Sequence, residues 1–168
     1  MIILGVDPGT TRVGYGVIKK EGSSLTHLSS GLLAIPPAAN APERLLFLQI
    51  SFKKLLTEIR PTCAGVEKLF FLKNKKTALS VAQARGVLIV ALAYAHIPFV
   101  ELAPSEVKLA VTGDGRATKE GVAKMVSYFL KLPQEKRIDD ITDALAIAIA
   151  ASQSVHQALG VDKSATSS

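Results

Sequence analysis

With 168 residues, 48% of them hydrophobic, the chain has the size and apolar content of one ordinary domain with a sizeable core. Its net charge of +6 favours a polyanionic partner, although an anionic membrane surface carries the same attraction. A membrane span is not expected: no uncharged apolar run reaches roughly 18 residues, the longest, GVLIVALAYAHIPFV, contains His96 and Pro98, and neither end carries a basic amphipathic helix.

The chain opens directly on the strand-like MIILGVD, with no basic lead or small-residue cleavage site, so a soluble cytoplasmic protein is expected. IILGV is a short apolar run that ends at Asp7; Asp-Pro-Gly then marks a turn, and RVGYGVIKK resumes β-type residues, which together read as a hairpin. SLTHLSSGLLAI supplies a third strand. After Pro42, apolar residues at Leu45, Leu48, Phe52, Leu55, Leu56 and Ile59 follow a helical spacing that Arg60-Pro61 stops. TCAGVE reads as a buried strand in which Cys63, the single cysteine, is a small core residue rather than a nucleophile.

From about Thr77 to His96 a helix is apolar nearly all the way round, so one face can pack on a sheet and the others need cover. A subunit interface explains this economically, and full burial inside one domain is the alternative. PFVEL is a fifth strand, SEVKLAVTG a short helix closed by Gly113, KEGVAKMVSYFLKL an amphipathic helix and IDDITDALAIAIAASQSV the last helix. Three early strands followed by alternating helices and strands predict an α/β fold with a mixed five-stranded sheet, antiparallel at first and then parallel, flanked by helices. Residues 1–154 are expected to form this single domain, and residues 155–168, which lose periodicity, a disordered tail.

Four acids stand out in this arrangement. Asp7 and Glu67 each end an apolar strand, and Asp140 and Asp143, three apart, share one face of the last helix. Each has an ordinary reading: Asp7 as a turn former, Glu67 as a surface strand end, Asp140 as a favourable charge at a helix N-terminus. Asp143, however, is followed at once by ALAIAIA and should lie near the apolar face. Together they would repel one another unless a cation held them. Oxygen donors without a His or Cys cluster select a hard cation, Mg²⁺ or Mn²⁺ rather than Zn²⁺. The set suits two such ions about 4 Å apart, which activate water and stabilise the leaving oxygen of a phosphodiester. Asp139 is read as a solvated or supporting residue.

GVDPGTTRVGYGVI at the start, VEKLFFLKN with ALSVAQARGVLI in the centre and DDITDALAIAI near the end resemble the RuvC family of crossover junction endodeoxyribonucleases, the bacterial Holliday junction resolvases. The resemblance runs from Met1 to about Ser154. It implies an RNase H-like fold, a homodimer, and paired symmetrical nicks in two strands of like polarity of a four-way DNA junction, leaving 5′-phosphate and 3′-hydroxyl ends. It also implies roles in recombination and DNA repair, and cooperation with the RuvA and RuvB branch-migration proteins. The family's catalytic, metal-holding acids fall on Asp7, Glu67, Asp140 and Asp143; some members carry His where this chain has Asp140.

The aromatic that the family inserts at the junction centre falls on Phe70, with Phe71 a competing choice, and a ring there could stack on an unpaired base for about 1 to 3 kcal/mol. Basic candidates for DNA contact are Lys73, Lys75 and Lys76 on an expected loop, then Lys108, Arg116 and Lys119, with Lys108 and Lys119 ranked first. Asp114 and Glu120 place negative charge in the second basic segment.

Three rival functions remain at this level. An RNase H-like nuclease acting on RNA or an RNA–DNA hybrid would use the same acids. An actin-like or sugar-kinase-like ATPase shares the D-x-G-T-T pattern but needs two such domains and a cleft between them. A non-catalytic nucleic-acid-binding module predicts loss of an acid, whereas all four are present.

Overall fold

The computed structural model describes residues 1–9, 11–36, 40–69, 75–133 and 138–154. Three strands open the chain, β1 (Ile2–Asp7), β2 (Arg12–Glu21) and β3 (Ser24–Ala34). Helix α1 (Ala41–Ile59) leads to β4 (Cys63–Glu67), and α2 (Lys75–Tyr94) leads to β5 (Phe99–Leu102). Helices α3 (Pro104–Thr112), α4 (Lys119–Leu130) and α5 (Asp139–Gln153) follow. The strands form one sheet in the order β3-β2-β1-β4-β5. β2 is antiparallel to both β1 and β3, whereas β4 is parallel to both β1 and β5, as the sequence predicts.

Local chemistry sets the helix ends. At α1, Asn40 accepts from the Glu43 N–H and the Glu43 side chain accepts from the Asn40 N–H, a reciprocal cap that satisfies two first-turn donors. Arg60 ends the same helix with φ 49°, a left-handed cap just before Pro61. Gly113 closes α3 with φ 80°, where the absence of a Cβ makes that conformation inexpensive.

The sheet separates two apolar layers. Leu4, Val6, Ala64 and Val66 face α1 and α2, packing with Phe52, Leu56, Leu88 and Leu92. Ile3, Ile18 and Cys63 face the other way, onto α3, α4 and α5. Strand alternation therefore puts Gly5 and Asp7, like Gly65 and Glu67, on the α5 side. α5 is buried from Ala144 to Ser152, which explains why ALAIAIAAS carries no polar stripe.

Helix α5 approaches the sheet closely over a row of glycines. Gly16, Gly5 and Gly65 are register partners across β2, β1 and β4. A Cβ on Gly5 would stand 2.0 Å from the Ala144 carbonyl oxygen, and one on Gly14 2.1 Å from that of Asp140. Only hydrogen at these positions lets the helix backbone lie this close. Since Gly14 is the register partner of Asp7, the contact fixes the N-terminal turn of α5 beside the end of β1.

Helix α2 corrects one expectation. It begins at Lys75, so Lys75 and Lys76 belong to its first turn rather than to a loop; lysine is a good helix former, and the apolar pattern alone places the start later. Of the two readings of its apolar surface, full burial inside the domain is not what the single chain shows. Ala84, Leu88 and Leu92 face the sheet, while Leu79 (67% exposed), Val90 (59%) and Tyr94 (82%) face outward.

Candidate active site

The four acids predicted from sequence come together where β1, β4 and α5 meet. Asp7 and Glu67 are the last residues of β1 and β4 and lie on the face that receives α5. Asp140 and Asp143 occupy the first turns of α5, one helical turn apart.

Their ionisation shows the proximity. Burial, then the negative charges of Glu67, Asp143 and Asp140, push the Asp7 carboxyl up to about 7, with Lys119 acting in the opposite sense. Glu67 is likewise pushed up to about 7, by burial first and then by Asp143, again opposed by Lys119. Burial also raises Asp143, against the lowering influence of Lys119. These are desolvated carboxylates held against their mutual repulsion, an arrangement that favours bound cations. Among the described residues no three acids are grouped closely enough to hold a metal ion together as they stand. An all-carboxylate set of this kind fits hard divalent cations, which favour oxygen donors.

Two basic side chains already answer part of that charge. The Arg12 Nε donates to Asp140 Oδ2. Lys119, the first residue of α4, brings its Nζ within 3.5 Å of Asp143 Oδ2 and 3.7 Å of Asp139 Oδ2. Asp143, first among its causes, raises the Lys119 pKa. Asp139 is largely solvated, its side chain 73% exposed.

Lys108 and Lys119 line a cleft of about 150 Å³ together with Glu67, Asp143, Pro104 and Val107, so these two lysines open onto the acids. Arg116 lies in the exposed turn between α3 and α4, where its backbone N–H donates to Asp114 Oδ1. Phe70, Phe71 and Lys73 lie outside the described residues, and the side chains of Lys75 and Lys76 are likewise not described.

Sequence reasoning missed Arg12 and Arg85. Arg12 shares strand parity with Gly14 and so points to the face α5 covers, but its partner Asp140 is 128 residues away. Arg85 donates from Nε to the Glu67 carbonyl at 3.1 Å and pairs through Nη2 with Glu101 Oε1 at 2.6 Å. In the sequence it is one cation in an apolar helix, the only signal being that such a charge needs a partner.

Comparison with known proteins gives a consistent picture. The family model for crossover junction endodeoxyribonuclease RuvC matches residues 3–151. A crossover junction endodeoxyribonuclease RuvC from Moorella thermoacetica is 43% identical over 149 residues, 89% of each chain. One from Thermotoga petrophila is 45% identical over 148 residues, 88% of this chain and 90% of that one. Among solved structures, Thermus thermophilus RuvC in complex with a Holliday junction substrate superposes with a TM-score of 0.87 at 33% identity, covering 94% of this chain and 96% of that one. The yeast mitochondrial Holliday junction resolvase, at 18% identity and a TM-score of 0.66 over 94% of this chain and 82% of that one, shares the fold. By sequence and structure alike, the chain belongs to the RuvC family of crossover junction endodeoxyribonucleases, with the mixed-sheet fold of the RNase H-like resolvases.

Proposed function

We propose that this protein is a metal-dependent structure-specific endonuclease that resolves Holliday junctions in DNA recombination and repair. The observation that carries the reading is the cluster of Asp7, Glu67, Asp140 and Asp143, buried enough to raise three of the four and gathered from three separate elements. The solved junction complex of the Thermus thermophilus relative favours a four-way DNA junction over an RNA–DNA hybrid as substrate.

Asp7, Glu67, Asp140 and Asp143 would hold two Mg²⁺ ions, with Mn²⁺ able to substitute, which activate a water and stabilise the leaving oxygen of the scissile phosphodiester. Around them the chain's own residues position the DNA. Lys119 and Lys108, on the wall of the acidic cleft, take phosphate oxygens. Arg116, Lys73, Lys75 and Lys76 are assigned further phosphate contacts, and Phe70 or Phe71, which follow β4 in the sequence, the ring that stacks on an unpaired base. Cleavage leaves 5′-phosphate ends.

The working unit is a homodimer. The outward stripe of α2, with Leu79, Gly86 and Val90 along one line of the helix, offers an apolar surface that a second copy would cover. A two-fold axis there presents identical sites to two strands of like polarity in a junction that has near two-fold symmetry itself. Residues 1–154 form the nuclease domain; the C-terminal tail expected over residues 155–168 lies outside the described residues. The enzyme is placed in the cytoplasm beside the RuvA and RuvB branch-migration proteins; among the described residues no helix is long and apolar enough to cross a membrane.

The test compares a synthetic mobile four-way junction, a matched linear duplex and an RNA–DNA hybrid, each with Mg²⁺ or EDTA. Paired nicks are expected in the junction alone and none with EDTA; cutting of the hybrid, or junction binding without cleavage in Mg²⁺, would overturn the proposal.

A further inference from the structure

The sheet separates α2 from the acidic site, yet one α2 side chain reaches the backbone of a site residue. Arg85 follows Ala84 on the sheet-facing side of the helix and is 17% exposed. A guanidinium so nearly buried must be paired, and both of its contacts lie at the ends of adjacent strands. Nε donates to the carbonyl oxygen of Glu67 at 3.1 Å, and Nη2 reaches Glu101 Oε1 at 2.6 Å.

The register explains the geometry. Glu101 pairs with Val66 across the β4–β5 ladder and lies on the α2 side of the sheet, whereas the Glu67 side chain lies on the α5 side. Arg85 therefore holds Glu67 by its backbone from behind while the carboxylate is offered in front. After Glu67 the ladder ends with the Lys68 N–H on the Leu102 carbonyl at 2.8 Å, so the grip falls where the strand loses its neighbours.

We infer that Arg85, anchored by Glu101, is a positioning residue that fixes the end of β4 and thereby the direction in which Glu67 presents its carboxylate to the metal ions. It acts through the Glu67 backbone. The cation that acts on the Glu67 carboxyl itself is Lys119, from the opposite side of the sheet. The planar fork is required because one donor must meet a carbonyl while another meets a carboxylate, and the single ammonium of lysine cannot serve both directions. The inference rests on Glu67 being a metal ligand, as the proposed function has it.

The experiment titrates the full-length protein with Mn²⁺ by calorimetry, for the wild type, Arg85→Ala, Arg85→Lys and Glu101→Ala, and follows junction cleavage alongside. Removing a residue that orients a ligand typically costs 10–100-fold in metal affinity, so Arg85→Ala should bind Mn²⁺ more weakly by about that factor. Its kcat should fall while KM for the junction holds, since the DNA-facing lysines are untouched. Arg85→Lys should fail to restore Mn²⁺ binding, and Glu101→Ala should weaken it several-fold.

Mn²⁺ affinity within about twofold of wild type in Arg85→Ala, with only a lower melting temperature, would make Arg85 a mere structural strut and overturn the inference. If Arg85→Ala does not fold, Arg85→Lys and Glu101→Ala decide, and wild-type affinity in either overturns it. A wild type that neither binds Mn²⁺ nor nicks the junction sinks the proposed function as well. A wild type that does both, beside variants that bind Mn²⁺ normally, sinks this inference alone.

Discussion

At the scale of the residue, Asp7 is raised by burial and by three neighbouring acids. Its carboxyl sits at about 7, so between pH 4 and 7 the folded chain keeps a proton that the unfolded chain, with an ordinary aspartate, has released. The folded state binds more protons in that window, and its stability therefore falls as pH rises. The contribution is fully present below the unfolded pKa and is lost as pH passes through about 7, with Glu67 adding in the same sense. Asp7→Asn removes one such charge. In EDTA at pH 8 the variant should be more stable than wild type by about 1 kcal/mol after screening is allowed for, or roughly 2–4 °C at this chain length. It should also lose Mn²⁺ binding and junction cleavage, so the substitution that abolishes function raises the melting temperature. A thermal scan in EDTA showing Asp7→Asn below wild type would contradict this account. In the wild type, protons compete with metal for the same oxygens, and Mn²⁺ affinity measured by calorimetry should weaken as pH falls below 7.

At the scale of the element, the site depends on how closely α5 lies on the sheet, and that depends on Gly5 and Gly14. A methyl on Gly5 would meet backbone, the Ala144 carbonyl, rather than a side chain that could swing away. Gly5→Ala should therefore cost about 1–3 kcal/mol in urea denaturation and lift α5. Because Asp140 and Asp143 ride on that helix while Asp7 and Glu67 ride on strands, Mn²⁺ affinity should fall with stability; unchanged Mn²⁺ binding would show that the docking of α5 does not set the site. The acids themselves are legible from sequence because strand ends and helical spacing announce them. The glycine row is not, since Gly5, Gly16 and Gly65 become one feature only through the pairing of β2, β1 and β4. Arg12 and Arg85 escape for a related reason: each is defined by a partner on another element, and the sequence names neither partner. The start of α2 is misplaced by the apolar pattern because lysine carries helix propensity without apolar periodicity.

At the scale of the molecule, the proposed pairing through the outer face of α2 would separate a nuclease that cuts once from one that cuts in symmetry-related pairs. Among the described residues a methyl placed on Gly86 would meet nothing beyond its own helix within 4 Å, so its surroundings are open in the single chain, and Val90 stands one turn further along the same stripe. Val90→Glu places a charge where a second copy would bury it, at a cost that grows with desolvation, whereas in a monomer it is an exposed helical substitution worth under about 0.5 kcal/mol. Sedimentation should find the wild type dimeric and Val90→Glu monomeric, with far-UV circular dichroism unchanged. The acids lie on the opposite side of the sheet from α2, so each Val90→Glu subunit should still bind Mn²⁺ with wild-type affinity. On a junction held in a cruciform plasmid, it should then give single nicks where wild type gives linear product from two cuts within one bound lifetime. A Val90→Glu protein that stays dimeric would move the interface elsewhere, with Leu46, Phe47 and Ile50 on α1 the next exposed apolar group to test. One that is monomeric yet still linearises the plasmid would show that two independent encounters suffice, and the link between α2 pairing and paired cleavage would fall.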